Sequence, residues 1–271
     1  MLTSDIFNIV SGQSVQINSF DVQTVLSYYI WPFVRILAMI MVAPVFSASM
    51  VLPRVRVLIS IMLTLILVPL IPPPPPVSLL SVAGGLVTAQ QVLIGIGMGF
   101  ALQVVFDALI LGGQAAAMSM GLGFAIAVDP ARGVNVPVVS QYFMVLATLA
   151  FLAINGHIVI IDTLAKSFQI LPVGEVGLQA EGIKQLIAWT SHIFYGALKI
   201  ALPAMTALMI VNLGFGVISR AAPTLNLFAI GFPITMLLGF IILMVSVPNI
   251  IKVFMALMYT AFEKATVVLG L

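Results

Sequence analysis

Apolar residues in this chain come in long unbroken runs, not at the two- or four-residue intervals of half-buried strands and helices. The runs cover about Val22 to Leu52, Val57 to Ile71, Leu79 to Leu111, Val138 to Ile154, Leu186 to Gly214 and Leu225 to Ile251. Val57–Phe106, Gly133–Ile161 and Ala221–Ile251 contain no Asp, Glu, Lys or Arg. Each is longer than the roughly 20 residues that span a hydrocarbon core. The pattern predicts an all-α fold of the integral membrane type, with about six apolar helices or helical hairpins.

Polar and helix-breaking positions divide these runs. Residues 1–20 form a polar N-terminal arm, and residues 21–271 a single membrane domain. Pro32 and Pro44 kink or break the first run, because proline removes a backbone donor. Pro72 to Pro76 form a rigid extended connector. Gly95, Gly97 and Gly99 predict close helix packing. Asn155-Gly156-His157 marks a break, residues 171–185 form the most water-like internal loop, and Lys252 to Leu271 reads as an amphipathic tail.

Residues 112–137 stand apart. Gly112, Gly113, Gly121, Gly123, Asp129-Pro130, Gly133 and Pro137 argue against one regular helix there and predict a broken or re-entrant segment. Met118, Met120 and Phe124 lie among these glycines. Methionine is soft and deformable, so such a segment can seal a pore around a passing chain. The plainer alternative is that its methionines fill gaps in a core.

Composition agrees with the runs. The chain is 62% hydrophobic and 7% charged, against about 25% charged residues in soluble domains. Formal net charge is +2 and the cations are scattered, so nucleic-acid binding is not expected. Cysteine is absent, which removes disulfides and thiol chemistry. The polar first twenty residues do not read as a cleavable signal peptide. If six spans simply alternate, Arg54, Arg56, Arg132 and Arg220 fall on one side and Lys166, Lys184, Lys252 and Lys264 on the other. That tie in the positive-inside count hints at hairpins that do not each cross a bilayer.

Ionisable groups inside apolar runs are few: Arg35, Asp107 and Lys199, with Asp129 and Arg220 near run ends. Each costs about 2.5–3.5 kcal/mol at a bilayer centre and needs a partner or water. Gln103, Asp107 and Gln114 lie four and seven residues apart, so a continuous helix would align them as one polar stripe. That stripe reads either as a wet conduit or contact with a neighbouring subunit, or as one carboxylate satisfied locally. Asp107 with Asp129 lacks any protease signature, and His157 and His192 lack zinc spacing. Gly95-Ile96-Gly97-Met98-Gly99 follows no strand and its third glycine comes one residue early for a nucleotide fingerprint. No catalytic, metal or cofactor site is expected.

The chain resembles the FliR/SpaR family, the R (or T) subunit of flagellar and virulence type III export gates. The resemblance is carried by WPFVRILAMIMVAPVFS, LPRVRVLIS, QQVLIGIGMGF, GLGFAIAVDPARGVNVPVVSQ, AINGH, LPVG and GFGVISRAAPTLNLFAIGFPITMLLG, in that order, from about residue 22 to 262. GFPIT and MGLGFA are closer to the flagellar branch. Gln114 stands where flagellar relatives usually carry a carboxylate. The resemblance implies a subunit of an export gate in the bacterial inner membrane, within the flagellar basal body. Its implied partners are the P and Q subunits, the B-type switch subunit, the A-type export subunit, membrane lipid and the unfolded flagellar proteins that are exported. It also implies a pore plug built from the 112–137 segment. The competing reading, a small-solute secondary transporter, calls for inverted repeats and convergent midplane charges, and the sequence displays neither.

Overall fold

The computed structural model describes residues 19–48, 50–122, 138–174, 177, 180–221 and 227–267, and among these the regular structure is helical throughout. The elements are α1 (Ser19–Val42), α2 (Pro53–Leu67), α3 (Val82–Ser119), α4 (Val138–Ala153), α5 (Gly156–Ile170), α6 (Ala180–Trp189), α7 (Ser191–Ala221) and α8 (Leu227–Val267). A single 3-10 turn, Val68–Leu70, follows α2. Among the described residues, five helical stretches are long and apolar enough to cross a membrane. The pair α4 and α5, bent by 66°, makes a sixth if taken as one span.

The central element is α3. It starts where Ser81 Oγ accepts from the Gly84 amide at 3.0 Å, a hydroxyl cap that satisfies one orphan donor of the first turn. It ends in a Schellman turn: Gly121 has φ +83°, the Leu122 amide donates to Ala117 O at 3.0 Å and the Gly121 amide to Met118 O at 3.1 Å. Between these ends the helix runs unbroken through Gly112 and Gly113. The irregular segment expected from residue 112 therefore begins only at Met120. Both glycines are used for approach. A Cβ at Gly112 would meet Ile200 and the Ala197 carbonyl of α7, and one at Gly113 would meet the Ser140 backbone of α4 at 2.8 Å.

The other helices wrap this axis at different heights. α1 lies parallel to the first half of α3, pairing Trp31 with Thr88 and Arg35 with Gln91. Gly95 and Gly99 let it in closely: a Cβ on Gly95 would collide with the Arg35 carbonyl, and one on Gly99 would lie 2.9 Å from the Met39 carbonyl. This is the small-residue packing expected of that run. α7 lies parallel to the second half, with Trp189 Nε1 donating to Ala101 O at 2.9 Å just before it, and with Gly196 against Ala108. α8 returns antiparallel, with Phe254 edge-on to Phe106 and Gly239 against Met120. α4 also descends along α3, where Ser140 Oγ donates to Ile110 O at 3.0 Å.

Hence the α1–α2 hairpin packs on the first half of α3 and the α7–α8 hairpin on its second half. The latter continues well past the end of α3, since Ser119 lines the same groove as Leu202 and Thr206 while α7 runs on to Ala221. At 1.5 Å per residue, α3 and α8 are about 57 and 61 Å long, whereas a hydrocarbon core is about 30 Å. Each of the two helices is thus about twice as long as a hydrocarbon core is thick.

Pro32 lies within α1 without ending it, so of the expected kink or break the break is absent there. Two further expectations are corrected in detail. The loop expected over 171–185 yields to α6 at Ala180, and the expected tail from Lys252 is the continuation of α8 as far as Val267. The break at Asn155 stands: its φ of 56° is left-handed, and a Cβ on Gly156 would meet the Phe151 ring. The polar arm lies outside the described residues apart from Ser19 and Phe20, which open α1.

The glycine packing makes a direct prediction. Gly85 has nothing within 4 Å of a built Cβ, so Gly85→Ala gains helix propensity and is expected to be neutral or stabilising by up to about 1 kcal/mol. Gly95→Ala must push α1 away from α3 and is expected to cost about 1–3 kcal/mol. Thermal midpoints of the purified protein in mild detergent compare them, and equal midpoints would rule out the proposed close approach.

Candidate functional site

Residues 103, 107, 114 and 118 are separated by four, seven and four positions, so on an α-helix they fall within about 60° of one another. Because α3 is continuous, Gln103, Asp107 and Gln114 do form one stripe, and Met118 extends it. The stripe occupies the side of α3 that the other described helices leave open. The three polar residues are half-buried, Met118 is 64% exposed, and on the same side Leu93 and Ile96 are exposed. The opposite side, including Val104, Val105, Ala108, Leu109 and Gly112, is fully buried. Gln103 Nε2 donates to Asp107 Oδ1 at 2.9 Å. This satisfies one of the carboxylate's several acceptor sites and leaves the rest directed to whatever lies beyond the open face.

The segment read as a plug divides into residues with different surroundings. Gly112 and Gly113 are packing glycines, and Gly121 is the helix-terminating residue. Met120 is fully buried, with its side chain where a Cβ on Gly239 would fall. Met118, by contrast, is free to meet something outside the chain. Gly123 and Phe124 lie outside the described residues.

A second polar centre escaped the sequence reading, which identified Arg35 only as an ionisable group needing a partner. Arg35 is 0% exposed. Its Nε donates to Gln91 Oε1 at 2.8 Å, one terminal nitrogen to Ser167 O at 3.0 Å and Ser167 Oγ at 3.2 Å, and the other to Leu171 O at 2.8 Å. The guanidinium lies 4.2 Å from the centre of the Phe168 ring. A cation among the last carbonyls of α5 also meets the negative end of that helix dipole. The residue thus ties α1, α3 and the end of α5 together. Its partners are 56 to 136 positions away in sequence, so spacing could not reveal them.

Lys199, also picked out from sequence, is exposed on α7, with its ammonium 4.5 Å from the Tyr195 ring centre. Asp129 is outside the described residues, and Arg220 lies in the last turn of α7. Among the described residues, no group of three or more His, Cys, Asp or Glu is arranged to hold a metal ion.

Comparison with known proteins returns one family. The model of the bacterial export proteins, family 1, matches residues 26–261. The flagellar biosynthetic protein FliR of Pectobacterium carotovorum is 38% identical over 233 residues, covering 86% of this chain and 89% of that protein. The protein of the same name from Escherichia coli K12 is 38% identical over 225 residues, covering 83% and 86%. The one from Bacillus subtilis 168 is 27% identical over 216 residues, covering 79% and 83%.

Proposed function

The chain belongs to the bacterial export proteins, family 1, and is a membrane-embedded subunit of the flagellar export apparatus; we propose that within it the open face of α3 lines the path of the exported polypeptide. The observation that carries this reading is the alignment of Gln103, Asp107, Gln114 and Met118 on the side of α3 that no described helix covers. In so apolar a chain, a half-exposed carboxylate and two amides need water or a polar partner. A hydrated passage supplies it along their whole length. Met118 and the residues after it stand at the end of this stripe and act as the plug, an apolar and deformable constriction that closes by excluding water.

The staggered hairpins support the same assignment. The outward faces of α2, with Leu58, Met62 and Leu65 exposed, and of α7, with Ile210, Leu213 and Val217 exposed, are apolar and belong to hairpins on different halves of α3. Unlike subunits stacked around the chain, the P and Q subunits of the gate, cover the face of α2. The B-type and A-type subunits join the same apparatus at the inner membrane. The role is structural and gating. A small-solute carrier would function without such partners and is not favoured.

The absence of cysteine offers a clean test. A single thiol introduced by Gln114→Cys or Met118→Cys is expected to form crosslinks with an export substrate arrested in transit, whereas Leu65→Cys on the outer face of α2 is not. Labelling at Leu65→Cys equal to that at Gln114→Cys would refute the placement.

A further inference from the structure

A notch of about 340 Å³ opens between α7 and α8, on helices other than the one that carries the polar stripe. His192, Tyr195 and Lys199 line it from α7, and Lys252 and Thr260 from α8. Residues 192, 195 and 199 lie on one helical face by their spacing. Lys199 and Lys252 are both exposed, and among the described residues neither has a carboxylate partner. His192 stacks on Trp189 with ring centres 4.1 Å apart, and its buried Nδ1 has no hydrogen-bond partner among the described residues. The notch therefore holds two unneutralised ammonium groups, two hydroxyls and an imidazole, with no acid among its described lining residues to balance them.

Its height decides what would neutralise it. Between Lys199 and Arg220, α7 carries no charge from Ile200 to Ser219, and α8 carries none from Leu227 to Ile251. Twenty helical residues measure about 30 Å, the thickness of a hydrocarbon core. Along this band the side chains of Ile210, Leu213, Val217, Met244 and Val245 point outward. At the lysine end stand the exposed rings of Tyr195 and Tyr259, the residue type enriched where hydrocarbon meets headgroup. Lysines at this level reach polar surroundings by extending along the helix.

We propose that this notch is a binding site for the phosphate of an anionic phospholipid, whose acyl chains lie along the apolar band of α7 and α8. Two lysines on adjacent helices, without internal acids, give the basic interhelical pocket such headgroups require. A carboxylate from a neighbouring protein would meet the charge but not the apolar band that continues from it.

The test uses the gate complex extracted in mild detergent, the parent against Lys199→Gln/Lys252→Gln, with phosphatidylglycerol, cardiolipin and phosphatidylcholine as probes and native mass spectrometry as the readout. The parent is expected to retain phosphatidylglycerol or cardiolipin at least fivefold over the double variant, and to show no preference for phosphatidylcholine. Lys199→Arg/Lys252→Arg is expected to restore retention. If the double variant fails to assemble, Lys252→Gln alone, at an exposed position with no ion-pair partner among the described residues, is expected to give a partial loss in the same ratio. Equal retention by parent and variant, or equal retention of phosphatidylcholine, would overturn the proposal. Displacement of the lipid by millimolar inorganic phosphate would reduce the notch to a simple anion site. Unchanged lipid with loss of a neighbouring subunit from the variant would reassign the lysines to a protein contact.

Discussion

Arg35→Met is expected to remove most of the folded protein from membranes. The guanidinium donates four hydrogen bonds to two separate parts of the chain, α3 and the end of α5, while fully buried. Replacing a buried ion pair by apolar residues can be neutral when both partners go together. Here the partners are the Gln91 amide and the last carbonyls of α5, and they stay. Ser167 O keeps its bond from the Leu171 amide at 2.9 Å, but Gln91 Oε1 and Leu171 O lose their donor. Each buried orphan costs roughly 1–3 kcal/mol, so the two together cost about 2–6 kcal/mol against typical net stabilities of about 5–15. Arg35→Lys keeps the charge but presents a compact ammonium that cannot span three acceptors at once, and it should fall between the two. Yield of monodisperse protein and its thermal midpoint in mild detergent measure this. A methionine variant with the parent's midpoint would show that the network is incidental.

Arg35 also marks the boundary of what the sequence conveyed. Its place inside an apolar run was plain from the charge map, since few ionisable groups lie in such runs. Its partners were not, because two of them are backbone carbonyls at a helix end, and any residue type supplies a carbonyl. Asp107 is the opposite case. Its donor Gln103 is four residues away on the same helix, a relation that periodicity alone expresses. The same contrast holds for glycine. Gly95 and Gly99, four apart in a helix-length run, announced close packing. Gly112-Gly113 looked like a break, yet the cost of about 1 kcal/mol per helical glycine is smaller than what α4 and α7 contribute by packing directly onto the α3 backbone. Asn155-Gly156 was legible because asparagine tolerates the left-handed backbone that a sharp bend requires. The stagger of the two hairpins was not legible in the sequence. Relative height depends on which residues of α3 receive each partner, and that is a property of the packed structure.

Deleting Met118–Gly123 is expected to open a leak for small ions through an otherwise intact export complex. The deletion removes the exposed methionine at the end of the polar stripe, the helix-terminating turn at Gly121 and the start of the segment proposed as the plug. It also removes Met120, whose loss has a separate effect: Met120 is buried against Gly239, and truncating it to alanine should cost about 2–5 kcal/mol through the cavity left behind. Met120→Ala is therefore the control for packing and Met118→Ser the control for sealing. If the segment closes the passage, cells carrying the deletion become sensitive to high sodium while copurification shows the complex assembled. Met118→Ser should then show a weaker form of the same sensitivity, because a polar side chain at the constriction favours wetting. Met120→Ala should lower the thermal midpoint without a leak. Cells that remain tight with the deletion and an assembled complex would move the barrier to a neighbouring subunit. A leak from Met120→Ala as large as that from the deletion would show that loosening of α3 against α8, not loss of a plug, opens the passage.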